Sequence, residues 1–221
     1  MCLIVLAWRA HPDYPLIVAA NRDEFHRRPA AAAGFWSDKP QILAGRDLDA
    51  GGTWMGVSRS GRFAAVTNYR GAREPSAAES RGALVTGFLA NGSAPAAYMA
   101  DVARRGTSYS GFNLLASDRN ELWWMSNRDG TPRRLEPGYY ALGNLLLDSP
   151  EVQPLKSRVA DTLPAVEALF GVVSKAKIVN PEYGTRCSTV LLDDGSHIRY
   201  AERAFEPDGT EGTTGQFQFS T

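Results

Sequence analysis

Met1-Cys2-Leu3-Ile4-Val5-Leu6-Ala7-Trp8 opens the chain, and Leu16-Ile17-Val18-Ala19-Ala20-Asn21-Arg22-Asp23-Glu24 follows after the connection Arg9-Ala10-His11-Pro12-Asp13-Tyr14-Pro15. Two unbroken apolar runs of strand length, joined by a turn-rich segment, predict a hairpin whose strands are buried on both faces. Pairing Leu3 with Ala20 and Trp8 with Pro15 sets Cys2 opposite Asn21. Side chains alternate along a strand, so Asn21 and Asp23 then share the Cys2 face while Arg22 and Glu24 point away. A slip of one residue exchanges the two pairs. In either register four polar groups end an apolar strand beside a thiol.

Cys2 is the residue with the most chemistry. Methionine aminopeptidase removes Met1 when residue 2 is small, which leaves a thiol and a free α-amine on one residue. The amine has a reference pKa of about 7.7–8.0 and the thiol about 8.5. Nucleophile and general base then sit together, as in N-terminal-nucleophile catalysis. A nearby cation favours the thiolate, and a carboxylate orients the ammonium or the cation. The bland alternatives are a small buried residue at a strand start and a strand end entering a solvated loop.

Outward from the hairpin, Thr53–Ser58 and Arg62–Tyr69 predict a second hairpin around Arg59-Ser60-Gly61. Further strands are expected over Phe112–Ser117, Leu122–Ser126, Tyr139–Leu142, Ser188–Leu192 and Ile198–Phe205, with a turn at Asp193-Asp194-Gly195. Ser76-Ala77-Ala78-Glu79 is a capping box ahead of a helix with Leu84, Val85, Phe88 and Leu89 on its apolar face. Asn91-Gly92 stops that helix, and a second runs from Pro95 to Gly106. A third helical region, 151–170, carries Val152, Leu155, Val159, Leu163, Val166 and Leu169, with Pro154 and Pro164 as breaks. Strands and helices come in blocks, which predicts an α+β layered fold rather than alternating βαβ units. Residues 1–221 read as one domain with a loosely packed tail over 206–221, within which Phe217–Phe219 can dock as a short strand.

The composition narrows the function classes. The chain has 221 residues, with 24 Lys and Arg against 24 Asp and Glu. A zero net charge argues against a nucleic-acid partner. With 43% hydrophobic residues the chain is not a disordered one. Two cysteines, Cys2 and Cys187, are too few for a disulfide scaffold, and no Cys/His group has zinc spacing. The N-terminus lacks a basic segment, and Arg9 breaks its apolar run, so neither a signal peptide nor a membrane span is expected. A reducing, cytoplasmic compartment follows as an expectation.

Other polar groups close strands in the same way: Asn68 after Val66-Thr67, Asn144 after Leu142-Gly143, and Arg186 ahead of Ser188-Thr189. An amide near an attacked carbonyl donates to the developing oxyanion, and an arginine anchors a carboxylate. Taken in order, Met1-Cys2, Ala20-Asn21-Arg22-Asp23-Glu24-Phe25, Gly45-Arg46-Asp47-Leu48, Gly51-Gly52-Thr53-Trp54-Met55-Gly56, Thr67-Asn68-Tyr69-Arg70, Leu142-Gly143-Asn144, Leu147-Asp148-Ser149-Pro150 and Thr185-Arg186 with Ser188-Thr189-Val190 resemble the NRDE family, which includes the transport and Golgi organisation protein 2 group. The match spans nearly the whole chain. It implies a four-layer αββα fold of the N-terminal-nucleophile hydrolases, distantly similar to choloylglycine hydrolases and penicillin V acylases.

Carried over by resemblance, Cys2 is the nucleophile, Asn68 and Asn144 are amide donors, and Arg186 is a late-strand arginine. Arg22 and Asp23 stand near the hydrolases' assisting Arg and Asp, with Asn21 and Glu24 as supporting residues. In those enzymes the Arg and Asp are separated by two residues, whereas here they are adjacent, so both cannot take the hydrolase positions on a regular strand. The implied activity is hydrolysis of a small-molecule, non-peptide amide without a cofactor. The alternative is a non-catalytic carrier of haem, an acyl chain or acyl-CoA. Its basis is the family's link to haem and lipid handling and an aromatic inventory that includes Trp36, Trp54, Trp123 and Trp124. His26, just after the tetrapeptide, is the best-placed haem ligand among His11, His26 and His197. A third reading is a degenerate hydrolase fold used as an interaction module.

Overall fold

A computed structural model describes residues 2–71, 78–162 and 164–221. In chain order these form β1 (Leu3–Trp8), β2 (Leu16–Phe25), β3 (Ala30–Phe35), β4 (Ile42–Asp47), β5 (Met55–Ser58), β6 (Phe63–Asn68), α1 (Gly82–Ala90), α2 (Pro95–Arg104), β7 (Phe112–Ser117), β8 (Leu122–Ser126), β9 (Arg133–Leu135), β10 (Gly138–Leu142), α3 (Gln153–Ala160), α4 (Val166–Ser174), β11 (Tyr183–Asp193), β12 (His197–Phe205) and β13 (Glu211–Ser220). They sort into two compact units interleaved in sequence. One is 1–29, 137–143 and 147–221, and the other is 30–136 with 144–146.

The first unit is built on an antiparallel sheet ordered β10-β1-β2-β11-β12-β13. All six residues of β1 are buried, as an unbroken apolar run requires. Leu3, Val5, Ala7, Ile17, Ala19, Val190 and Leu192 form one core with Val159 of α3 and Leu169, Phe170 and Val173 of α4. Pro154 starts α3 rather than breaking it, because a proline in the first turn removes no helical hydrogen bond. Pro164 lies between α3 and α4, in keeping with its reading as a break. The expected Leu163 contact falls outside the described residues.

The hairpin register departs from the simplest expectation. Leu3 pairs with Asn21 and Trp8 with Leu16, one residue on from the Leu3–Ala20 pairing. Pro15 has no N–H to give to a ladder, so the last pair forms at Leu16, and Pro15 contributes only its carbonyl, to Arg9 N at 2.8 Å. Arg9 takes a left-handed φ of 46° to turn the chain. β2 also runs on through the polar tetrapeptide to Phe25, because β11 pairs with it as far as Tyr183. The loose tail expected over 206–221 is corrected as well. Residues 211–220 form β13, which pairs along β12 while most of its side chains stay exposed.

The second unit is an antiparallel meander in strict sequence order, β3 to β9. Leu84, Val85, Phe88 and Leu89 of α1 are buried, as the helical spacing predicted, and pack with Met99 and Val102 of α2 on Ala64, Val66, Leu114 and Met125. Burying side chains of this size contributes roughly 1.5–3 kcal/mol each. The Gly51-Gly52 pair has a steric reason. Gly51 turns with φ of 74°, and a Cβ on Gly52 would lie 2.7 Å from the backbone of Gly82 at the start of α1. The capping box at 76–79 falls largely outside the described residues. The strands that the sequence reading missed, β3, β4 and β9, include two sheet edges, β3 and β9, where alternation is weakest.

Candidate active site

Within the first unit, the observed register continued by one residue sets Cys2 across from Arg22. Arg22 and Glu24 thereby take the Cys2 face of the sheet, and Asn21 and Asp23 take the face covered by α4. This reverses the expected assignment, and its cause is the shifted hairpin closure. Cys2 is half-buried and free. Its Sγ lies 3.7 Å from the Asp23 carbonyl oxygen, to which the thiol donates. Burial pushes the thiol pKa up, the Asp23 carboxylate pushes it further, and Arg22 pulls against both.

Each member of the tetrapeptide has a distinct job. Asn21 is fully buried. It donates to the Val173 carbonyl at 2.9 Å and accepts from Ser188 Oγ at 2.7 Å, so it fastens β2 to α4 and β11. Arg22 is largely covered and lies 3.9 Å from Glu24, whose other oxygen accepts the Phe25 N–H. Asp23 is 4% exposed, and burial raises its carboxyl above the ordinary range. The Thr185 hydroxyl donates to Asp23 Oδ1 at 2.6 Å and accepts the Ile178 N–H at 2.9 Å. Tyr183 Oη donates to the same Asp23 carbonyl that holds the Cys2 thiol, at 3.2 Å.

A bulge explains how one strand serves both faces. β11 pairs Thr185 with Asp23 but Cys187 with Arg22, which leaves Arg186 as the extra residue. Thr185 therefore meets Asp23, and Cys187, two residues on, turns to the Arg22 face. Cys187 Sγ lies 3.6 Å from the buried Glu202 carboxylate. Arg186 directs Nη1 at the carbonyls of Phe25, His26 and Arg28, at 3.1, 3.2 and 2.9 Å, and so clasps the turn after β2.

Both asparagines belong to the second unit, where the Asn144 side chain bonds the Asn68 backbone. Asn144 Nδ2 donates to the Asn68 carbonyl at 2.5 Å, and Arg70 N–H donates to the Asn144 carbonyl at 2.6 Å. The structure thus groups Cys2, Arg22 and Asp23 in one unit and Asn68 with Asn144 in the other, and commits one nitrogen of Arg186 to backbone. Thr185 and Tyr183, which contact Asp23, were not singled out from the sequence. Thr185 belongs to the Thr185-Arg186 pair that opens β11, but spacing alone does not show a bulge.

Trp36 and Trp124 are buried, and Trp54 and Trp123 pack on the core of the second unit. His26 Nε2 is hydrogen-bonded to the Asn180 carbonyl at 3.0 Å. A carbonyl only accepts, so that nitrogen carries the proton and is not open as a ligand. Among the described residues no group of three His, Cys, Asp or Glu side chains is placed to hold a metal ion, and no helix is long and apolar enough to cross a membrane.

Solved structures share this architecture. A variant of the conjugated bile acid hydrolase of Clostridium perfringens aligns over 99% of this chain and 96% of its own, with a TM-score of 0.62 and 10% identity. A Caenorhabditis elegans ortholog of N-acylethanolamine-hydrolyzing acid amidase covers 86% of this chain and 92% of its own, at a TM-score of 0.52 and 11% identity. The fold is that of the N-terminal-nucleophile hydrolases, an α+β fold of the αββα type. Residues 1–168 match the family described as Transport and Golgi organisation 2. The Bos taurus Transport and Golgi organization protein 2 homolog is 34% identical over the full length of both chains. The chain belongs to the Transport and Golgi organisation 2 family.

Proposed function

We propose that this chain is a cysteine N-terminal-nucleophile amidase that cleaves a non-peptide C–N bond of a small molecule, with Cys2 as nucleophile once Met1 is removed. The observation that carries the proposal is the setting of the Cys2 thiol at the head of β1, 3.7 Å from the Asp23 carbonyl and flanked by Arg22. Burial holds this thiol protonated, so attack requires a base at hand. The α-amine of Cys2, with a reference pKa of about 7.7–8.0, is that base. It takes the thiol proton as sulfur bonds to the amide carbonyl carbon. The C–N bond then breaks, the amine leaves with that proton, and an acyl thioester remains on Cys2. Water, deprotonated by the same amine, releases the acid and restores the thiol. Asp23 steadies the ammonium form, and Arg22 favours the thiolate. Asn68 and Asn144 are the amide donors of this proposal.

The names of the structural neighbours suggest the probes: a conjugated bile acid and an N-acylethanolamine, beside a fluorogenic aminomethylcoumarin amide of decanoic acid. Protein with the intact mass of the Met1-less chain is expected to turn over one of these, and Cys2→Ala is expected to abolish it. Retention of Met1 in active protein, or full turnover by Cys2→Ala, would refute the mechanism. The haem-carrier reading is checked on the same preparation. A saturable Soret shift lost in Cys2→Ala would favour it.

A further inference from the structure

Asn113 is the second residue of β7 and is fully buried in the second unit. Its Nδ2 donates to the Leu145 carbonyl at 2.9 Å and to Thr67 Oγ1 at 3.1 Å. A carbonyl accepts and never donates, so the Leu145 contact fixes which side-chain atom is the nitrogen. Its Oδ1 is then left buried with no partner among the described residues. Its strand partners are Thr67 and Ser126, and a leucine here would remove the stranded oxygen but also the donor to the Leu145 carbonyl and Thr67 Oγ1. The amide is therefore kept for what it holds.

What it holds is the return segment 144–146. Asn113 grips Leu145, the residue next to Asn144. Asn144 in turn accepts the Arg70 N–H and spends one Nδ2 hydrogen on the Asn68 carbonyl. An amide nitrogen has two hydrogens, and among the described residues only one is taken, which leaves the other for a ligand. We propose that Asn113 is a positioning residue, which fixes through the Leu145 carbonyl where the remaining Asn144 N–H points. The proposal rests on Asn144 serving as a donor in amide hydrolysis. A buried side chain sets the height and angle of the segment, and a donor misplaced by an ångström loses much of its effect on an oxyanion.

The test uses the full chain, isotope-labelled, with Asn113→Leu. Exchange of the Arg70 amide hydrogen is expected to quicken by about tenfold or more, and the Asn144 side-chain NH2 signals to lose their protection. The Val66 amide, bonded to the Trp54 carbonyl, serves as an internal control and stays unchanged. On the fluorogenic decanoyl amide, kcat falls about tenfold or more with KM within about twofold. Thr67→Val removes one anchor of Asn113 and leaves the Leu145 bond. It shifts the same signals less, and it keeps the question answerable if Asn113→Leu fails to fold. Unchanged Arg70 exchange and Asn144 signals in a folded variant would overturn the proposal. Wild-type protein inert on every amide would instead overturn the amidase reading, while the exchange data still judge Asn113.

Discussion

Asp23 is a buried carboxylate whose charge the fold resists. Its carboxyl is raised by burial, so the folded state favours the protonated form. Stability from this group is present at low pH and drains as pH rises through the raised value. Asp23→Asn keeps an oxygen for the Thr185 hydroxyl and sheds the charge. The variant is expected to melt higher than wild type at neutral pH, with the gap closing as acid protonates Asp23. Its Cys2 is also expected to alkylate faster, because the carboxylate is the second cause of the raised thiol, while turnover drops. A lower melting point at neutral pH, or slower alkylation, would contradict this account. That a thiol and a polar tetrapeptide come together at one end of the first hairpin was legible from the sequence. Which of the four face the thiol was not, since it hangs on a single ladder step set by Pro15.

Asp148 shows how a single residue joins elements. It sits between β10 and α3 with a left-handed φ of 59°. Its Oδ1 accepts the Ala141 N–H at 2.9 Å and its Oδ2 meets Lys156 Nζ at 2.7 Å. Its own N–H donates to the Ala141 carbonyl at 2.8 Å. Asp148→Ala removes both side-chain bonds and places Ala where Asp or Asn is better tolerated. Urea unfolding is expected to show a loss of about 2 kcal/mol. Asp148→Asn keeps the Ala141 bond and loses only a half-exposed ion pair, so it should cost under about 1 kcal/mol. Equal losses would mean that the ion pair dominates. Elements with a strong apolar pattern, such as the unbroken runs of β1, β7 and β8 and the apolar face of α1, were legible from the sequence. Of β13 only the Phe217–Phe219 end was legible, because the Gly- and Thr-rich run before it becomes a strand only when β12 offers it a ladder.

At the scale of the whole molecule, several buried groups titrate on the alkaline side. Burial, with Glu202 nearby, pushes Cys187 and Tyr200 well above their ordinary values. Burial moves Tyr98 to about 12. A raised folded-state pKa means that stability is full below the ordinary value and is lost as pH climbs from there towards the raised one. From neutral pH to about pH 8 the melting temperature is expected to hold steady, and then to fall steeply above about pH 9. Cys187→Ser, which cannot titrate in this range and still offers Glu202 a donor, should flatten the first part of that fall. An unaltered profile in this variant would remove Cys187 from the explanation.

Residue order settled the two central strands, the helices on each unit, the core they share within it and the thiol around which the proposed chemistry turns. All of these follow from local patterns of apolar spacing and turn residues. The hairpin register, the bulge that sends Thr185 and Cys187 to opposite faces, the Asp23–Thr185 clamp and the hold of Asn113 on Leu145 were set by folding. Each joins residues far apart in sequence, and a hydrogen-bond partner across a ladder is chosen by strand pairing, on which local spacing is silent.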